Sequence, residues 1–147
     1  MDLVQIFNWS YVSLVTSEGQ YGDSGMTAFV REAKKRNICI AINEKVPQNA
    51  DPAYFRYILH NLRSKPNARG VVLFLRAEDN RGLLEAAQQL NFSSYFSFIA
   101  SDGWGKQDKL VQGVEEVAEG AITVELATTE IKEFDYYIGN LTEEHAK

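Results

Sequence analysis

Cysteine is nearly absent: the chain of 147 residues holds one, Cys39. One thiol can make no internal disulfide and no thiolate cluster for a metal. It is either a buried strand thiol or half of a disulfide whose partner lies outside this chain. Histidine is almost as scarce. His60 falls mid-helix and His145 in the tail. They are too far apart to give a metal-ligand spacing, and no Ser-His-Asp or Cys-His set converges on them. No enzyme chemistry, metal or other cofactor is therefore expected. Positive charge is also in deficit, with a net charge of -5, which argues against a nucleic-acid-binding surface. No apolar run approaches the roughly 20 residues of a membrane span, and "MDLVQIFNW" lacks the basic and apolar sections of a signal peptide. The phosphate fingerprints G-x-G-x-x-G and G-x-x-x-x-G-K-[ST] do not follow the first apolar run, because Gly19, Gly22 and Gly25 have the wrong spacing for either.

What is present is a packed soluble domain, with 45% hydrophobic and 24% charged residues. Strand and helix signals alternate. "DLVQIFNW" suits a short amphipathic helix and "SYVSLVT" a strand. The spacing of Met26, Phe29, Val30 and Ala33 predicts a helix opening at Asp23, capped by Asp23 or Ser24. "ICIAI", from Ile38 to Ile42, is a continuous apolar run of the kind found in strands covered on both faces. Asp51-Pro52 opens a helix whose inner stripe is Phe55, Ile58, Leu59 and Leu62, and Lys65-Pro66 closes it. "GVVLFL" is a third strand, "EDNRGLLEAAQQL" a third helix and "YFSFIAS" a fourth strand. "DGWGKQDKLV" reads as a loop, "AITVEL" as a fifth strand and "EIKEFDYYIGNL" as a last helix.

This alternation predicts a single α/β unit over residues 1–147: a three-layer αβα sandwich with a mainly parallel sheet. Ligands of such sheets bind outside the carboxyl ends of the strands. That rule selects "TSEGQY", "NEK", "RAED" and "SDGWG".

Within those segments the residues suit a small charged ligand better than a nucleotide. Asp102 directly follows an apolar strand, where a carboxylate pairs with an ammonium in a partly dry cleft. Gly103 beside it lets a ligand approach the backbone. Tyr21 offers a ring face and a hydroxyl, and Arg76 suits an anionic group. Each has a plainer role open to it. Asp102 could cap a turn, Tyr21 could pack on a helix start, and Arg76 could pair with Glu78 or Asp79. Three N-x-[ST] sequons, at Asn8, Asn91 and Asn140, favour a secreted history.

Three long stretches carry a resemblance: "NWSYVSLVTSEGQYGDSGMTAFVREAKKRNICIA", "KPNARGVVLFLRAEDNRGLLEAAQQL" and "IASDGWG". With "VAEGAITVEL" they resemble the extracellular Venus-flytrap domain of metabotropic glutamate receptors, which are class C G-protein-coupled receptors. The resemblance covers nearly the whole chain and is confined to the second, distal lobe. It implies a flavodoxin-like lobe of a periplasmic-binding-protein type I domain, excised from a two-lobe receptor. "RAED" and "DGWG" look more like group II than group I, whose members carry an arginine shortly after "DGW" where this chain has Gln107.

By resemblance, Tyr21 matches the tyrosine covering the bound amino acid. Asp102, with Gly103 alongside, matches the aspartate that holds its ammonium. Arg76 matches a basic residue near the ligand's distal end, and Cys39 the cysteine bonded to the cysteine-rich domain. The implied partners are a glutamate-like amino acid, the missing lobe I and cysteine-rich domain, a second receptor copy, and a G protein reached through a membrane domain. The implied location is the outer face of the plasma membrane. A bacterial solute-binding lobe and a stand-alone flavodoxin-like regulator or enzyme are the alternatives.

Overall fold

In the computed structural model, residues 1–127 and 131–139 are described. Five parallel strands form one sheet in the order β2-β1-β3-β4-β5. Helices cover both of its faces, as the sequence predicts.

β1 (Tyr11–Ser17) lies between two neighbours and is buried from Val12 to Ser17. Side chains alternate across the sheet. Val12 and Leu14 pack with Val72 and Ile99 on one face, under α1 (Asp2–Ile6) and α2 (Gln20–Lys35). Val15, Val71, Leu73 and Phe98 pack on the other. There α3 (Pro52–Arg63) contributes Phe55, Ile58, Leu59 and Leu62, the predicted stripe. α4 (Ala77–Gln89) adds Leu83, Leu84 and Ala87. Asp51 caps α3 by accepting the Tyr54 N–H at 2.8 Å.

Two expectations are corrected. First, β2 (Cys39–Val46) is not covered on both faces: it is an outer strand of the sheet and, among the described residues, pairs only with β1. Cys39 is exposed, and Ile40, Ala41 and Ile42 are half-buried. The buried-thiol reading therefore fails, and "NEK" belongs to the strand rather than to the loop after it. Second, the helix opens before Asp23, so Gly22 and Gly25 do not belong to a turn leading into it. α2 begins at Gln20, with Gly19 as its N-cap at φ 110°, and neither Asp23 nor Ser24 caps it.

Gly22 and Gly25 lie inside α2 for reasons of space. A Cβ on Gly22 would come within 1.9 Å of the Ser17 carbonyl oxygen, and one on Gly25 within 2.6 Å of the Phe74 ring. Bare backbone lets the helix start press directly against the ends of β1 and β3 (Gly70–Phe74).

β4 (Ser97–Ala100) leads into the segment read as a loop, which ends in α5 (Asp108–Val111); α6 (Glu115–Ala118) follows it. The fifth strand is shorter than "AITVEL": β5 is Ile122–Thr123, prolonged by one bond from the Val124 N–H to the Ala100 carbonyl. α7 (Lys132–Gly139) carries Phe134, Tyr137 and Ile138 exposed. No helix among the described residues is long and apolar enough to cross a membrane.

Candidate functional site

In the order 2-1-3-4-5 the chain reverses direction between β1 and β3, so a crevice opens outside their carboxyl ends. Two polar clusters stand there.

The first joins the start of α2 to the end of β4. The Tyr21 hydroxyl donates to Asp102 Oδ1 at 2.7 Å and lies 2.6 Å from Ser101 Oγ. The Gly103 N–H donates to the same hydroxyl oxygen at 3.3 Å. Ser101 Oγ is also 3.1 Å from the Leu73 carbonyl, which already accepts the Ser101 backbone N–H at 3.0 Å. Tyr21 is 39% exposed, and Asp102 is exposed as well. Gly103 is held against β3: a Cβ there would come within 2.0 Å of the Leu75 carbonyl oxygen. Burial of the phenol pushes the Tyr21 pKa above its ordinary 10.0, and the adjacent Asp102 carboxylate pushes it the same way. Tyr21 is therefore a neutral hydroxyl at physiological pH.

A crevice of about 600 Å³ opens beside these groups, lined by Gln20, Tyr21, Ser24, Gly25, Phe74, Ser101 and Asp102. Its polar groups are one carboxylate, three hydroxyls and an amide. An acceptor set of this kind with a single negative charge can take a small cation. The Phe74 ring gives it an apolar wall.

The second cluster is buried. Ser17 Oγ donates to Asp79 Oδ2 at 2.5 Å and accepts the Arg76 backbone N–H at 2.9 Å. Arg76 gives Nε and Nη2 to the same carboxylate oxygen at 3.0 and 2.9 Å. Its Nε also lies 3.4 Å from Glu78 Oε1. The Asp79 side chain is 5% exposed. A carboxylate buried that deeply needs donors, and this one has three.

Tyr21, Asp102 and Gly103 thus come together as expected, whereas Arg76 does not line their crevice. It is occupied by Asp79, one of the plainer partners open to it. Ser101 was not singled out from sequence, and Asp79 was named only as an open partner for Arg76. Each carries a weak signal: Ser101 immediately precedes Asp102 at a strand end, and Asp79 stands one helical turn after Arg76.

Of the sequons, Asn8 and Asn91 are exposed, at φ 54° and 53°. They sit in the loops entering β1 and β4, at the amino end of the sheet and away from the crevice. Asn140 lies outside the described residues. No group of three or more His, Cys, Asp or Glu among the described residues could hold a metal ion.

The whole chain, residues 1–147, matches the family model described as receptor family ligand binding region. It is 56% identical over 144 residues to a Drosophila melanogaster protein named metabotropic glutamate receptor. That alignment covers 98% of this chain and 15% of the relative's length.

Proposed function

Because the chain belongs to the receptor-family ligand-binding regions, we propose that it is the distal lobe of a two-lobe extracellular domain that closes on an amino acid. Its role is binding rather than catalysis. The ligand is held first by the other lobe, and Asp102 and Tyr21 engage its ammonium when this lobe swings over. A ligand shifts a conformational equilibrium only by binding one state better than the other. A carboxylate–ammonium bond made only in the closed form supplies such a difference, since truncating one partner of a desolvated charge pair costs about 2–5 kcal/mol. The name carried by the relative, metabotropic glutamate receptor, supports a glutamate-like ligand and signalling through a G protein from the outer face of the plasma membrane.

One observation carries this reading. The Tyr21 hydroxyl and the Asp102 carboxylate, 81 residues apart in sequence, meet in an exposed crevice at the carboxyl end of the sheet. Arg76 fits less well as a direct ligand contact, because two of its N–H groups are already committed to Asp79. The exposed Cys39 on the outer strand is accessible to a disulfide partner, which supports its proposed link to a cysteine-rich domain. Glycans on Asn8 and Asn91 would leave the crevice clear.

The test is Asp102→Ala in the full-length receptor. Amino-acid activation should fall by about 30-fold or more while the protein still reaches the cell surface. Normal potency at normal surface expression would refute the assignment.

A further inference from the structure

The hydroxyl protons of the crevice can be counted. Tyr21 has one hydroxyl proton and Ser101 one, and the Asp102 carboxylate can only accept. The Tyr21 proton goes to Asp102 at 2.7 Å. The 2.6 Å contact between Tyr21 and Ser101 must then use the proton of Ser101. With the Gly103 N–H also donating to Tyr21, both lone pairs of the phenolic oxygen are taken. In that state the Tyr21–Asp102 pair offers an ammonium only the remaining capacity of Asp102.

Ser101 has a second acceptor within reach. Its Oγ lies 3.1 Å from the Leu73 carbonyl. A rotation about one side-chain bond moves the Ser101 proton there and opens one lone pair on Tyr21. The bond to Leu73 is the longer of the two, and that carbonyl already accepts the Ser101 backbone N–H. The rotated state is therefore the less favourable one in the empty lobe.

We infer that Ser101 is a positioning residue that gates the second acceptor for the ligand's ammonium. In the empty lobe it occupies the Tyr21 oxygen. On binding it turns to Leu73, and the ammonium then bonds to Asp102 and Tyr21 together. A ligand with a primary ammonium has enough N–H donors to use both acceptors. The inference rests on the proposed ammonium site, and it adds a residue that lowers affinity by competing with the ligand.

The experiment uses the full-length receptor and dose–response curves for glutamate, with surface expression measured for every variant. Ser101→Ala removes the competitor and should raise potency about three- to tenfold, the worth of one net hydrogen bond. Ser101→Gly, which also lacks the hydroxyl, should shift potency the same way and serves if the alanine variant folds poorly. Ser101→Thr keeps a hydroxyl and should stay near wild type. In a Tyr21→Phe background the effect of Ser101→Ala should vanish, since the contested oxygen is gone.

Lower or unchanged potency in Ser101→Ala would overturn the inference, as would an equal gain in the Tyr21→Phe background. Asp102→Ala, run alongside, separates the two levels. If it leaves potency intact, both readings fail. If it abolishes activation while Ser101→Ala does nothing, only the gating role fails.

Discussion

The carboxyl end of the sheet holds two clusters of similar composition, each with an aspartate, a serine hydroxyl and a larger hydrogen-bonding partner. Ser17, Asp79 and Arg76 form the closed one: the carboxylate is buried and three donors converge on one of its oxygens. Tyr21, Ser101 and Asp102 form the open one, where the carboxylate receives a single donor among the described residues and faces a crevice. The difference lies in solvent exposure and unused bonding capacity rather than in residue type. The closed cluster has satisfied itself and ties the end of β1 to the start of α4. The open cluster keeps acceptor capacity in reserve, which is what a ligand needs.

Exchanging these properties by mutation tests the comparison. The largest stability effect is expected at the closed cluster. Asp79→Ala leaves Ser17 and the half-buried Arg76 without their shared acceptor, and should cost about 2–4 kcal/mol. That would appear as a clearly lowered melting temperature of the purified chain. Asp102→Ala, at an exposed position, should move stability by no more than about 0.5 kcal/mol while removing ligand response. Equal melting shifts for the two variants would erase the distinction.

Next comes the glycine beneath the open cluster. Gly103→Ala places a Cβ against the Leu75 carbonyl and pushes Asp102 away from Tyr21. A cost of about 1–3 kcal/mol and a weakened ligand response are expected together. A smaller effect is expected from Tyr21→Phe, about 0.5–1.5 kcal/mol for the lost hydrogen bonds, read from chemical denaturation. Smallest is the pH effect. The Tyr21 pKa is raised in the folded state, so the hydroxyl's contribution is present below the unfolded value of about 10. It is lost as pH rises through the folded value. The stability gap between wild type and Tyr21→Phe should therefore hold from pH 7 to 9 and narrow above about pH 10. A gap that widened in alkali would contradict it.

The layered fold was legible because the alternation of apolar runs is set by burial. "YVSLV" and "GVVLF" sit inside the sheet and look it, and Asp51-Pro52 announces its helix through capping chemistry. The errors have one cause: a residue pattern can satisfy two geometries. A run such as "ICIAI" serves an outer strand half-covered by helix as well as a central strand. Glycine marks both a turn and a close approach, and Gly22 and Gly25 do the second. At the site, Tyr21 and Asp102 were visible because each stands in the segment just beyond a strand's carboxyl end. The commitment of Arg76 was not, because Glu78 and Asp79 sit beside it in sequence and only burial decides which carboxylate claims the guanidinium.

The central claim is that the charge of Asp102 holds a ligand ammonium. Asp102→Asn tests it most directly, since the amide keeps the shape and an acceptor for Tyr21 but removes the charge. Ligand affinity of the two-lobe extracellular domain, measured by calorimetry against glutamate, should fall by about tenfold or more with the melting temperature unchanged. Unaltered affinity in that variant would contradict the account.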